Sequence, residues 1–230
     1  MSKIAIMGAM PEEIEPLLER VENIRKVDYA NNSYYEATYR GKELVIAYSK
    51  IGKVFSSLTA SILLEKFACS KLLFSGVAGA INPALKIGDL IIADKLCQHD
   101  LDISIFGHDY GYVPEGAVFV ETDRALREIA KEVAKSNALS LIEGTIATGD
   151  QFVASTERKA FISKHFQADA LEMEGASVAV VCDALHVPFF VLRAISDTAN
   201  DDAGIDFDAF MVNSAKISAN FILDMVEKID

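Results

Sequence analysis

The sequence predicts an α/β fold: a single three-layer α/β/α domain, residues 1–230, around a central mixed, largely parallel twisted sheet. Three observations predict it. Short apolar runs that fit strands alternate with helix-like segments throughout the chain. Several of those runs carry almost no polar residue, as strands covered on both faces do. A length of 230 residues supplies one sizeable core and falls short of two ordinary domains. No internal repeat, low-complexity segment or linker breaks the pattern.

Residues 3–10 form a continuous apolar run, a strand buried on both faces. Pro11 then starts a helix, where its missing N–H costs nothing. Glu12, Glu13 and Glu15 occupy the start of that helix and suit its positive end. On position alone Glu13 is a dipole partner, although it also lies just beyond a strand's carboxyl end. Residues 31–40 and 42–49 read as two strands turned around Gly41, and the helix that follows carries Leu58, Ile62, Leu63 and Leu64 on helical spacing. Residues 71–74 are a buried strand ending in Ser75-Gly76-Val77-Ala78-Gly79. Those glycines fit either a close approach of backbone to a ligand or a tight turn before Pro83.

Residues 86–93 turn and enter a further strand. Residues 99–114 are irregular yet hold several large apolar side chains, which a subunit interface or a pocket wall would cover. Residues 122–137 form an amphipathic helix with Leu126, Ile129, Ala130 and Val133 on one face. Residues 141–148 are a strand, followed by Gly149-Asp150-Gln151-Phe152-Val153. Phe152 at that strand end suits stacking on a flat ligand or a place in the core. Ser155 caps a helix holding Glu157, Arg158 and Lys159.

Residues 168–200 read as strand, helix, strand, about thirty residues in all, the length of a βαβ crossover. The helix from Glu174 to Cys182 is too apolar all round to face water. A crossover would make the two strands parallel and bring Glu174 and Asp197, just past their ends, to one edge of the sheet. Ligands of open α/β sheets bind along such an edge. Residues 198–204 are polar and loop-like, and Asp206 caps a last helix from Phe207 to about Lys228, with Phe210, Ile217 and Phe221 inward.

Composition removes several function classes. With 34 acidic and 22 basic residues the formal net charge is −12, which argues against nucleic acid and against anionic membranes as partners. Three scattered cysteines, Cys69, Cys97 and Cys182, suit a reducing compartment. The four histidines show no ligand spacing, so no metal is expected. Neither GxGxxG nor GxxxxGK[ST] occurs, and no cofactor is expected. The chain opens into a strand without a leader-like segment, and no apolar run is long enough to span a membrane, so the expected location is cytoplasmic.

What remains is a set of carboxylates. Glu13, Glu174 and Asp197 come from three strand ends, with Gly76 to Gly79 and Phe152 from two more. If those strands share a sheet, all converge on one rim. Three carboxylates without a metal motif suit a cationic transition state with proton transfers at both ends, of which glycoside-type hydrolysis is the leading case.

The sequence resembles the 5′-methylthioadenosine/S-adenosylhomocysteine nucleosidases, within the purine nucleoside phosphorylase superfamily, over essentially its whole length. The resemblance is carried by Gly8-Ala9-Met10-Pro11-Glu12-Glu13, Ser49-Lys50-Ile51-Gly52-Lys53-Val54, Gly76-Val77-Ala78-Gly79, Gly149-Asp150-Gln151-Phe152, Glu172-Met173-Glu174-Gly175-Ala176 and Arg193-Ala194-Ile195-Ser196-Asp197. The stretch from His99-Asp100-Leu101-Asp102 to Pro114-Glu115 is most similar to the branch that also cleaves 6-amino-6-deoxyfutalosine, on the futalosine route to menaquinone.

The resemblance implies a nucleoside phosphorylase-like fold and an adenine nucleoside as the small-molecule partner. Asp197 would protonate N7 of the adenine, Glu13 would hold and deprotonate the attacking water, and Glu174 would accept hydrogen bonds from the ribose hydroxyls. Burial behind Ile195 and Phe152 would favour the protonated form of Asp197. Met173, Phe152, Met10 and Ile51 would line the sugar and base sites, Val153 and Ser196 would lie near the adenine, and Phe207 would cover the 5′ substituent. Ala78, Gly79 and Arg193, inside the matching motifs, complete the expected substrate-binding set. Phe106 and Pro114 would reach the site of a partner subunit in a homodimer, which would account for the apolar loop. Val77 stands where many relatives carry a serine, an apolar change that favours water over phosphate as nucleophile. The alternatives are a purine nucleoside phosphorylase using phosphate and a nucleoside-binding module without turnover.

Overall fold

The computed structural model describes residues 3–197 and 207–229, with side chains from residue 212 in the latter segment. In chain order it holds β1 (Lys3–Gly8), α1 (Pro11–Leu18), β2 (Glu22–Tyr29), β3 (Asn32–Tyr39), β4 (Lys42–Tyr48) and α2 (Lys53–Ser61). A wide π turn (Ile62–Lys66) extends α2 and leads to β5 (Cys69–Ala80), β6 (Leu90–Gln98) and a 3-10 turn (Ser104–Phe106). There follow β7 (Phe119–Glu121), α3 (Arg124–Ser136), β8 (Leu141–Thr148), α4 (Thr156–Phe166), β9 (Ala170–Glu172), α5 (Gly175–Ala184), β10 (Phe189–Asp197) and α6 (Phe207–Lys228).

Local chemistry explains several boundaries. Asp123 caps α3 by accepting the Leu126 N–H at 2.9 Å, and Ser155 caps α4 by accepting that of Arg158. Arg40 and Gly41 both have positive φ, the backbone of a two-residue hairpin turn between β3 and β4. The cap expected at Asp206 and the loop expected at 198–204 lie outside the described residues.

The sheet is built from two parallel blocks that run in opposite directions. β4, β1, β5 and β10 form one block, and β6, β8 and β9 form the other. Two antiparallel seams join them, β10 with β6 and β5 with β9, so five strands close into a ring. A β2–β3–β4 meander extends the first block, and β7 borders β6. Helices cover both faces: α2 packs with α5 on one side, and α6 with α1 and α3 on the other. Two separate apolar clusters fill the layers between them.

Three expectations change here. β9 and β10 are not the parallel pair of a βαβ unit: β9 runs antiparallel to β5, and β10 runs parallel to it. The unit has the length of a crossover, but α5 connects strands of opposite blocks and makes none. Second, β5 does not stop at Phe74; it runs straight through Gly76 and Gly79 to Ala80. Third, Leu58 does not face the core. It is exposed, as are Val54 and Phe55 on the same helix, whereas Ile62, Leu63 and Leu64 are buried. Ile217 is partly buried and Phe221 fully so, as expected; the Phe210 side chain lies outside the described residues.

Candidate active site

The length of β5 decides where the acids meet. Because it outruns its neighbours, β10 pairs along it as far as Gly79, and β9 pairs with the same Gly79 from the other side. Asp197 therefore stands beside Gly79 on one flank, with Leu171 on the other. The chain after Leu171 runs back along β5 to Glu174, so the two carboxylates approach from opposite directions. The glycines make room for this. A Cβ at Gly79 would lie 2.9 Å from Asp197 Oδ2, and one at Gly76 would lie 3.0 Å from Glu13 Oε1. Both glycines have extended backbone, so their role is close approach and the tight-turn alternative does not hold.

A cavity of about 240 Å³ opens between these strands. Its walls include Glu13, Glu174 and Asp197 together with Met10, Ile51, Ala78, Gly79, Phe152, Val153, Met173, Arg193 and Ser196. Phe152 is 80% exposed and stands at the mouth, not in the core. The Phe207 side chain lies outside the described residues. Phe106 and Pro114 are exposed and do not line this chain's own cavity.

Each carboxylate is held differently. Glu13 is 5% exposed, and its Oε2 accepts the backbone N–H groups of Ala9 and Met10. It does cap α1, and the same fold of chain aims its carboxyl into the cavity. Burial raises its pKa above the ordinary glutamate value, while the Arg193 guanidinium and the N–H donors pull the other way. Glu174, at the start of α5, accepts the Gly52 N–H at 2.7 Å. Burial, with the Glu172 carboxylate beside it, pushes its pKa up to about 7. Asp197 accepts the Ser196 hydroxyl at 2.8 Å and lies 3.7 Å from Lys159 Nζ. Its side chain remains 39% exposed, so the burial expected behind Ile195 and Phe152 is absent: Phe152 itself faces solvent.

Sequence reasoning left several working residues without a role. Glu172 also lines the cavity, and it is the hub of the site's support. It accepts Thr148 Oγ1 through Oε1, and through Oε2 the N–H of Glu174 (3.1 Å), that of Gly175 (2.7 Å) and Arg193 Nη2 (2.8 Å). Arg193 is 1% exposed and packs over the Phe74 ring, so this is a fully buried ion pair. Its place in the Glu-Met-Glu run, two residues before Glu174, was the available signal. A second brace ties the mouth together. Lys53 Nζ contacts Asp100 at 2.6 Å, Asp150 N–H donates to Asp100, and Lys53 N–H donates to Asp150. That brace joins the segments bearing Ile51 and Phe152.

Comparison with known proteins identifies the family and the fold. Residues 3–227 match the family model described as the phosphorylase superfamily. The chain is 58% identical to the aminodeoxyfutalosine nucleosidase of Campylobacter jejuni over 229 residues, covering 100% of both chains. It is 49% identical to the Helicobacter pylori enzyme of the same name, covering 99% of both. It also superposes on the crystal structure of the C. jejuni 5′-methylthioadenosine/S-adenosylhomocysteine nucleosidase with a TM-score of 0.97, at 58% identity and 100% coverage of both chains.

Proposed function

The chain belongs to the phosphorylase superfamily, and from that premise we propose that it is a purine nucleosidase. It would hydrolyse the N-glycosidic bond of 5′-substituted adenine nucleosides: 5′-methylthioadenosine, S-adenosylhomocysteine, 5′-deoxyadenosine and 6-amino-6-deoxyfutalosine. The observation that carries the reading is the convergence of Glu13, Glu174 and Asp197 on one cavity. Cleavage builds positive charge on the ribosyl carbon, and anionic side chains set in place for that charge lower its cost.

The roles are those the family resemblance implies, and the convergence of the three acids on one cavity supports them. Asp197, half open to the cavity, gives its proton to adenine N7, so that the base departs neutral as the C1′–N9 bond breaks. Glu13, held by two N–H donors, takes a proton from the water that attacks C1′. Glu174 accepts from the ribose hydroxyls. One proton enters from water and one leaves with adenine, and exchange with solvent resets the two acids. Met10, Ile51, Met173, Phe152, Val153 and Ser196 enclose the sugar and base.

Charge favours water over phosphate. The cavity wall holds four carboxylates, Glu13, Glu172, Glu174 and Asp197, against one guanidinium, Arg193, which Glu172 already engages. No uncommitted cation is left among the described lining residues to hold a phosphate dianion. The names of the relatives, nucleosidases of methylthioadenosine and of aminodeoxyfutalosine, support the same choice. The test is adenine release from methylthioadenosine in phosphate-free buffer. Release that needs phosphate and yields a ribose 1-phosphate would replace this reading with phosphorolysis. Tight binding without any release would leave a binding module.

The same proposal includes a cytoplasmic homodimer acting in methionine salvage and menaquinone biosynthesis. Support for the dimer is the unusual exposure of Ile51, Val54, Phe55, Leu58, Ile105, Phe106 and Phe152. A second copy would cover these residues and bring Phe106 and Pro114 to the neighbouring cavity. Sedimentation of wild type and Phe106→Glu tests it: a monomeric wild type would overturn the dimer, and a dimeric variant would remove Phe106 from the interface.

A further inference from the structure

We propose that Lys159 is a positioning residue for the acid step, placed to stabilise the Asp197 carboxylate as it gives up its proton. The proposal rests on the nucleosidase reading and deepens it.

Lys159 occupies an odd place. On α4 it shares a row with Ile162 and Phe166, spaced three and seven residues on, and that row faces the interior. Ile162 and Phe166 are at most 2% exposed, and Lys159 is 7% exposed, while Glu157 and Ala160 beside it face solvent. An aliphatic residue would serve packing at this position. A lysine is rarely buried unless it is paired. Its partner among the described residues is Asp197, at 3.7 Å. That separation is too long for a hydrogen bond, so the ammonium acts on the carboxylate through its field.

Stability does not account for the lysine. Replacing a buried charged group by an apolar one of similar size is often neutral or stabilising, and Asp197 keeps access to water that would solvate it alone. Catalysis does account for it. When Asp197 protonates N7 it becomes a carboxylate next to a neutral base, and a fixed cation beside it lowers the energy of that product and of the transition state leading to it. The remaining charges near Asp197 are otherwise committed or of the wrong sign. Arg193 on the same strand engages Glu172, Arg158 on α4 turns to the His99 carbonyl at 2.8 Å, and Glu13, Glu172 and Glu174 are acidic. The β5 neighbour of Asp197 is Gly79, which carries no charge.

The test compares two leaving groups on wild type, Lys159→Met, Lys159→Gln and Lys159→Arg. Adenine in 5′-methylthioadenosine needs a proton to leave, whereas the phenolate of p-nitrophenyl 5-methylthioriboside leaves as an anion. In Lys159→Met the kcat/KM for adenine release should fall about tenfold, a fraction of the whole acid contribution. Release of p-nitrophenolate should stay within about twofold of wild type on the same Brønsted logic, the melting temperature should not fall, and Lys159→Arg should restore the wild-type ratio of the two rates. Lys159→Gln gives the same readout should the methionine variant fold poorly. Equal losses on both substrates, or undiminished adenine release, would overturn the assignment. A wild type that releases adenine neither from 5′-methylthioadenosine nor from its 5′ analogues would overturn the nucleosidase reading, and this assignment with it.

Discussion

Replacing Glu172 by leucine is the sharpest test of how the site is held together. The substitution keeps the volume and removes the acceptor of four donors: Thr148 Oγ1, the N–H groups of Glu174 and Gly175, and Arg193 Nη2. Arg193, 1% exposed, keeps its bonds to the Leu192 and Phe74 carbonyls and its place over the Phe74 ring, but it loses its counter-ion. Stranding one member of a buried ion pair costs about 3–5 kcal/mol. At roughly 2–4 °C per kcal/mol for a domain of this size, the melting temperature should fall by about 10 °C. The double variant Glu172→Leu/Arg193→Met strands no charge and should recover most of that loss, although not activity, because Glu13 then lacks the guanidinium that acts on it. Differential scanning fluorimetry on the four proteins of the cycle measures both effects. A single variant melting within about 3 °C of wild type, or a double variant whose loss is the sum of the two singles, would refute the buried-pair account.

Other outcomes follow from the same geometry. In Gly79→Ala the new Cβ would sit 2.9 Å from Asp197 Oδ2, so the acid must move; adenine release should fall about 10²-fold in kcat/KM, and unchanged kinetics would show that Asp197 is elsewhere during turnover. Glu174 supplies a pH dependence of stability. Its unfolded form loses its proton near 4.5, whereas the folded form keeps it to about 7, so the folded state binds more protons between those values. Stability should therefore decline as pH rises through that window, by roughly 3 kcal/mol in all, and Glu174→Gln should flatten the decline in urea titrations run from pH 4 to 8. A variant with the wild-type slope would place the titration on another group. Cys69, Cys97 and Cys182 are buried with thiols pushed up to about 12, so the native protein should resist alkylation at pH 8 and take up three labels only on unfolding. Rapid labelling of the native chain would contradict that burial.

How much of this was legible beforehand differs from residue to residue. Strand 141–148, the Ser155 helix start and the hairpin at Gly41 were readable because their causes are local: a short apolar run, a capping oxygen, a permitted positive φ. Leu58 misled because helical spacing records which residues share a face, not whether a partner covers it, and α2 turns Val54, Phe55 and Leu58 outward. Glu13 was ambiguous because a helix cap and a buried acid have the same sequence signature, and the structure makes it both.

By itself the chain determined the α/β class, the motif residues and the acidic character of the site, since each depends on residue type and near neighbours. The tertiary structure alone decided how the acids meet. The pairing of 168–173 with 189–195 as parallel strands was the natural local inference, and it was wrong because strand partners are chosen by distant segments. One long strand, β5, accepts β10 in parallel and β9 in antiparallel on either side of Gly79, and that pairing brings Glu174 and Asp197 together from opposite ends. The Glu172–Arg193 pair and the inward turn of Lys159 belong to the same category. Each is a contact between charges far apart in the chain, whose worth depends on burial that only the packed molecule supplies.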